Sequence, residues 1–132
     1  MSPMTVLICD DDANDSQLLG RLVGKLLPGA RIITVATRAG ALCALVGASG
    51  TPDPVDIALL DARMPAEASP LSLSYLVEAA ERYHTKPVVV SGDRGYAVGA
   101  TPIRCPIVDK EHVKEELPRY LTGPLPALNG AA

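Results

Sequence analysis

Val6-Leu7-Ile8-Cys9-Asp10-Asp11-Asp12 is an apolar run that breaks abruptly into three acids. Four other runs also end on polar residues: Ile57-Ala58-Leu59-Leu60 on Asp61, Val88-Val89-Val90 on Ser91, Ile107-Val108 on Asp109-Lys110, and Ile32 to Ala36 on Thr37. Short apolar runs with β-branched residues suit strands buried on both faces of a parallel sheet. In an open parallel α/β sheet the strand carboxyl ends share one edge, so the residues that close these runs should meet in or near one crevice. The stretch 6–12 therefore sets the fold class and the place where chemistry is expected.

Between the runs the apolar spacing is helical, which gives an alternation of strand and helix. The first strand is expected over about Thr5 to Cys9. A helix capped near Asn14 or Asp15 carries Leu18, Leu19, Leu22, Val23, Leu26 and Leu27 and stops at Pro28-Gly29. Arg31 to Ala36 forms the second strand, and Thr37 caps a second helix that continues through Ala41 to Val46 and ends near Gly47. Pro52-Asp53-Pro54 reads as a surface turn before a third strand, Val55 to Leu60. Ser69-Pro70 opens a helix carrying Leu73, Leu76, Val77 and Ala80, and Lys86-Pro87 leads into the fourth strand. Gly92, Gly95, Gly99, Pro102 and Pro106 leave room for little more than one or two turns of a fourth helix, and the fifth, from Glu111, must kink or end at Pro118. One domain is expected over residues 1–121, with 122–132 as a loose tail.

Composition narrows the function classes. At 132 residues the chain has room for one hydrophobic core. Phe and Trp are absent and the only aromatics are Tyr75, Tyr83, Tyr96 and Tyr120, so aliphatic residues must fill the core and base stacking is not expected. A net charge of −3 gives no electrostatic reason to favour nucleic acid or an anionic membrane surface. Cys9, Cys43 and Cys105 make an odd count and read as reduced core thiols of a cytoplasmic protein, Cys43 on the inner face of its helix. No targeting segment and no bilayer-length apolar run is read. His84 and His112 fall in a loop and on a polar helix face and read as solvated.

Asp10, Asp11 and Asp61 within a few ångströms would repel one another unless a cation intervenes. Magnesium answers to such a set, because it takes oxygen ligands and needs only one or two carboxylates beside its waters. Asp61, alone at its strand end, can then attack a phosphorus atom in line. The metal, the Ser91 hydroxyl and the Lys110 ammonium would hold the three phosphoryl oxygens, a task of positioning and charge neutralisation.

These residues, in this order and on these strand ends, resemble the receiver domain of bacterial response regulators over about Thr5 to Leu121. The resemblance rests on the acidic pair in Leu7-Ile8-Cys9-Asp10-Asp11-Asp12, on Leu59-Leu60-Asp61-Ala62-Arg63-Met64-Pro65, on Val89-Val90-Ser91-Gly92, and on Lys110. It implies a flavodoxin-like, doubly wound five-stranded parallel sheet in the order 2-1-3-4-5, with helices on both faces. It implies further that Asp61 is phosphorylated, that Asp11, Asp61 and the main-chain carbonyl of Arg63 bind Mg2+ directly, with Mn2+ as an alternative ion, and that Asp10 acts through water. Ser91 and Lys110 would bind the phosphoryl group. The implied partners are a sensor histidine kinase, a histidine phosphotransferase and a downstream protein, with no nucleic acid or membrane involved. Since the chain ends soon after the fifth helix, a stand-alone signalling receiver, not an enzyme in the ordinary sense, is expected.

The chain departs from that family's pattern in two places. Glu111 follows the lysine where a proline is usual, and Ile107 occupies a position commonly aromatic. Both alter the face used for output, so the phosphorylation chemistry is better supported by the residues than conventional switching. A degenerate receiver that binds a partner without phosphorylation is one alternative. A small aspartyl-phosphate phosphohydrolase is the other, but it normally needs a second acid two residues past the nucleophile, where Arg63 stands. The first helix also shows an apolar arc near half its circumference, and Leu18 and Leu22 are the part expected to meet a helical, histidine-bearing partner.

Overall fold

Successive side chains of a strand point to opposite faces, and in the inner strands of this protein both sets are apolar. The structure, a computed structural model, describes residues 3–62, 72–92 and 105–121. Its strands are β1 (Thr5–Cys9), β2 (Arg31–Val35), β3 (Ile57–Asp61), β4 (Lys86–Ser91) and β5 (Ile107–Asp109). The helices are α1 (Ala13–Leu26), α2 (Arg38–Ala48) and α3 (Leu73–Arg82), followed after β5 by a 3-10 turn (Lys110–His112) and two short helices, α4 (Val113–Glu116) and α5 (Pro118–Leu121). All pairings are parallel and the strand order is β2-β1-β3-β4-β5, the expected flavodoxin-like arrangement.

The alternation divides the interior in two. Leu7, Cys9, Ala58, Leu60 and Val89 face α2 and α3, packing with Ala41, Leu45, Leu73, Leu76 and Val77. Val6, Ile8, Ile57, Leu59, Val88, Val90 and Val108 face the opposite way, against Leu19 and Val23 of α1 and Val113, Leu117 and Leu121 near the end of the described chain. Burying one such aliphatic side chain contributes about 1.5–3 kcal/mol, so the two layers pin the sheet from both sides. At the edge, β2 is partly exposed, and Arg31 pairs with Asp53 at 2.8 Å.

Local chemistry explains the element boundaries. Helix α1 begins earlier than its apolar spacing suggests: the cap is Asp12, not Asn14 or Asp15, because the Asp12 carboxylate accepts from the amides of Asn14 (2.8 Å) and Asp15 (3.1 Å). Thr37 caps α2 as expected, accepting from the Gly40 amide at 2.9 Å. A β-carbon on Gly40 would lie 3.1 Å from the Thr37 hydroxyl, so a side chain there would crowd the cap. Ser72 caps α3; the Ser69-Pro70 opening lies outside the described residues, as do the 122–132 tail and, between Ser91 and Lys110 where a short fourth helix is expected, residues 93–104. Beyond β5 the helix does break at Pro118, with Leu117 between α4 and α5.

The thiols depart from expectation at one position. Cys43 is exposed, because Ala41 and Leu45 turn the inner face of α2 and place Cys43 opposite them; the helix is apolar nearly all round, which hid its orientation. Cys9 is buried and Cys105 half-buried, and burial pushes both thiols up to about 12.

Helix α3 ends in a left-handed turn. The His84 amide donates to the Glu81 carbonyl (3.0 Å) and the Thr85 amide to the Ala80 carbonyl (2.8 Å), while His84 itself has φ +61°. Glycine takes that conformation without penalty. His84→Gly should therefore stabilise the fold by about 1 kcal/mol, read as an increased urea midpoint at unchanged slope. Of the three thiols, only Cys43 should react quickly with a disulfide reagent at neutral pH, since Cys9 and Cys105 hold little thiolate there; peptide mapping by mass spectrometry checks this.

Candidate functional site

The register carries the chemistry to one edge. Cys9 is aligned with Leu60, Asp61 with Val90, and Ser91 with Asp109, so Asp10, Asp61, Ser91 and Lys110 all lie at or one residue beyond strand ends. Asp10 and Asp61 are buried, Asp11 is exposed, and carboxylate oxygens of the three lie within 4.8 Å of one another. Asp10 is oriented by the chain reversal after β1, its Oδ1 accepting from the Asp12 amide at 2.9 Å.

Lys110 reaches this cluster from beyond β5. Its Nζ lies 3.1 Å from Asp10 Oδ2, 3.6 Å from Asp61 Oδ1 and 2.8 Å from Asp15 Oδ2. Burial of the ammonium works against its charge, but the hydrogen bond to Asp15 and the charges of Asp61 and Asp10 outweigh it, and the Lys110 pKa is raised above the ordinary lysine value. Ser91 is fully buried at the end of β4, and a β-carbon on the following Gly92 would lie 3.9 Å from Lys110 Cδ, so the lysine stem passes close to that strand end. The chain can turn at Lys110 because Asp109 Oδ1 accepts from the Glu111 amide at 2.9 Å, a donor that proline would lack.

The described residues cluster as the sequence suggests: Asp10, Asp11 and Asp61 converge, Lys110 joins them, and Ser91 lies at the same edge. Arg63 lies outside the described residues. No protein-family model matches the sequence, nor does any curated protein. Solved structures do match. A response regulator receiver protein from Sinorhizobium medicae aligns with 90% of this chain and 91% of its own at TM-score 0.70 and 18% identity. The receiver domain of the histidine kinase CKI1 from Arabidopsis thaliana, complexed with Mg2+ and BeF3−, aligns with 88% of this chain and 85% of its own at TM-score 0.67 and 17% identity. The fold is that of a response regulator receiver domain. A third match, to a chain of the complex between the P1 domain of CheA3 and CheY6 from R. sphaeroides, covers 83% of this chain and 84% of that one at TM-score 0.61 and 26% identity.

Two residues beside this receiver-fold crevice escape a reading of the strand ends. Asp15, in the first turn of α1, makes the shortest of the three carboxylate contacts to Lys110; helix-start chemistry alone accounts for an acid there, which masked the second role. Arg38 stands at the first position of α2, with Nη2 donating to the Ala62 carbonyl at 3.1 Å, directly after Asp61. A cation at a helix N-terminus opposes the helix dipole, and that unfavourable placement is the signal that it serves something else. The Arg38 charge also acts on Cys9, whose Sγ donates to the Thr37 carbonyl at 3.4 Å. His112 is exposed, 3.7 Å from Asp109, and belongs to a separate surface group with Glu111. Among the described residues no helix is long and apolar enough to cross a membrane.

Removing the Lys110 ammonium leaves Asp10 and Asp61 facing each other across the crevice. In metal-free solution Lys110→Met should destabilise the fold by about 2 kcal/mol, less than loss of a fully buried partner because the ammonium is partly exposed. Adding Asp61→Asn should recover part of that loss, and urea denaturation of the two variants against the parent measures both effects.

Proposed function

We propose that the Asp61 carboxylate accepts a phosphoryl group from a phosphohistidine donor in a magnesium-dependent reaction, and that the protein signals through contacts with other proteins or passes the group on in a phosphorelay. The observation that carries this reading is the convergence of Asp10, Asp11 and Asp61 within 4.8 Å, with the Lys110 ammonium against Asp10 and Asp61, at the edge where Ser91 ends β4.

The donor set suits the ion. Asp10, Asp11 and Asp61 offer only hard oxygen atoms, which fit Mg2+, or Mn2+ in its place, with the Arg63 carbonyl as a proposed further ligand. When bound, such an ion offsets the charge of the acids and of the incoming phosphoryl oxygens. An Asp61 oxygen attacks phosphorus opposite the donor nitrogen; the O–P bond forms as the P–N bond breaks, and the released electron pair goes to the imidazole, which takes a proton from water. Lys110 and Ser91 donate hydrogen bonds to the transferred oxygens. The product is an acyl phosphate on Asp61.

The comparisons lend support in kind. The CKI1 receiver was solved with Mg2+ and BeF3−, and CheY6 with the P1 domain of CheA3. We take the partner of this chain to be a histidine kinase or histidine phosphotransferase of the same general sort. Leu18 is 44% exposed on α1, and a groove lined by Asp15, Leu18, Leu19, Lys110 and Val113 runs from it toward the crevice, where a helix bearing the donor histidine can approach. With Arg63 at the position of a hydrolase's second acid, the chain is expected to hold its phosphoryl group as a signalling acceptor and not to turn over free phosphate esters.

The deciding measurement is intact-mass analysis after incubation with acetyl phosphate or phosphoramidate. One phosphoryl group should be gained in Mg2+, none in chelator, and none on Asp61→Asn. Absence of uptake from both donors would reject the acceptor role and leave a phosphorylation-independent binding module.

A further inference from the structure

The crevice contains one carboxylate more than the proposed transfer needs. Lys110 has three N–H donors, and three carboxylates surround its nitrogen: Asp15 at 2.8 Å, Asp10 at 3.1 Å and Asp61 at 3.6 Å. Only Asp15 and Asp10 meet hydrogen-bond geometry with the ammonium. The phosphoacceptor is the most distant of the three. Asp15 also differs in kind from the other two, because its side chain is 40% exposed at the start of α1 whereas those of Asp10 and Asp61 are almost wholly buried. A favourable interaction with the α1 dipole asks only for a negative charge in the first turn; it does not require that the charge meet a lysine from the far edge of the sheet.

We propose that Asp15 is a positioning residue that holds the Lys110 ammonium on the α1 side of the crevice, in competition with the phosphoryl group that would arrive on Asp61. This rests on the acceptor reading above. With Asp15 and Asp10 each holding one donor and Asp61 3.6 Å away, the ammonium can close on a phosphoryl group at Asp61 only by moving off one of the two carboxylates that hold it. Asp10 is buried and tied to the Asp12 amide, and Asp61 carries the group itself, so Asp15 is the contact that yields. Its hold delays capture of the group and draws Lys110 back when the group is lost. Lys110 and Asp15 both line the groove beside Leu18 and Val113, so release of the pair would also change the charge pattern at that groove.

The test is the time course of phosphoryl uptake from phosphoramidate in Mg2+, followed by intact mass, for the parent protein, Asp15→Asn and Asp15→Glu. Asp15→Ser serves as a second charge-free variant in case the amide perturbs the start of α1. The charge-free variants should take up the group roughly three- to tenfold faster, and Asp15→Glu should stay near the parent rate. Repeating the series at high ionic strength separates the hold from the field of a surface charge on an anionic donor, because the latter is screened by salt. A gain that persists in salt supports the hold. Equal rates in all variants, or a gain that vanishes in salt, overturns it while leaving the acceptor reading intact. No uptake by any variant, parent included, overturns both.

Discussion

Repulsion among the acids at the sheet edge is the constraint around which this molecule is arranged. Asp10 and Asp61 are both buried with oxygens no more than 4.8 Å apart, and at an effective dielectric of about 20 two unit charges at that distance repel by roughly 3 kcal/mol. A marginally stable domain cannot carry such a cost without compensation. Lys110 supplies it by reaching in from beyond the outermost strand, and the Asp12 amide adds a hydrogen bond to Asp10. Hence the last strand, although only Ile107–Asp109 in length, matters beyond its size: it aligns with β4 and sets the origin of the lysine.

Much of this was legible in the sequence because it depends on periodicity and on where apolar runs stop. Continuous burial of Val6 to Cys9, Ile57 to Leu60 and Val88 to Val90 is what a parallel sheet covered on both faces demands, and the strand-end residues follow from direction alone. Thr37 and Pro118 mark boundaries whose cause is local and readable. The acid cluster was legible for the same reason, since Asp10 and Asp61 stand where apolar runs stop and Asp11 adjoins Asp10.

What escaped depends on side-chain direction and on contacts between distant segments. Asp12 rather than Asn14 or Asp15 caps α1, a choice made by the path of the chain leaving β1. Cys43 faces outward because α2 is apolar on nearly every side, and only packing against the sheet selects Ala41 and Leu45 as its inner face. The contacts from Arg38 to Ala62 and from Lys110 to Asp15 join residues 24 and 95 positions apart, and no pattern within a single element announces them. The sheet brings these pairs together by setting the carboxyl ends of β2, β1, β3, β4 and β5 side by side, so their meeting is a property of topology.

The two ends of the sheet have different duties. Among the described residues the acid cluster, Ser91 and Lys110 lie at the carboxyl end, whereas the opposite end includes the turn after α1, the segment between α2 and β3, and the left-handed turn at His84. Those connections hold backbone hydrogen bonds, such as Ala30 to Leu27 and Thr85 to Ala80, but contribute nothing to the acid cluster. That pole of the molecule is free territory for remodelling. New chain termini, a reporter or a fused module could be placed there at a distance from the acids, and the crevice would remain open to whatever approaches along α1.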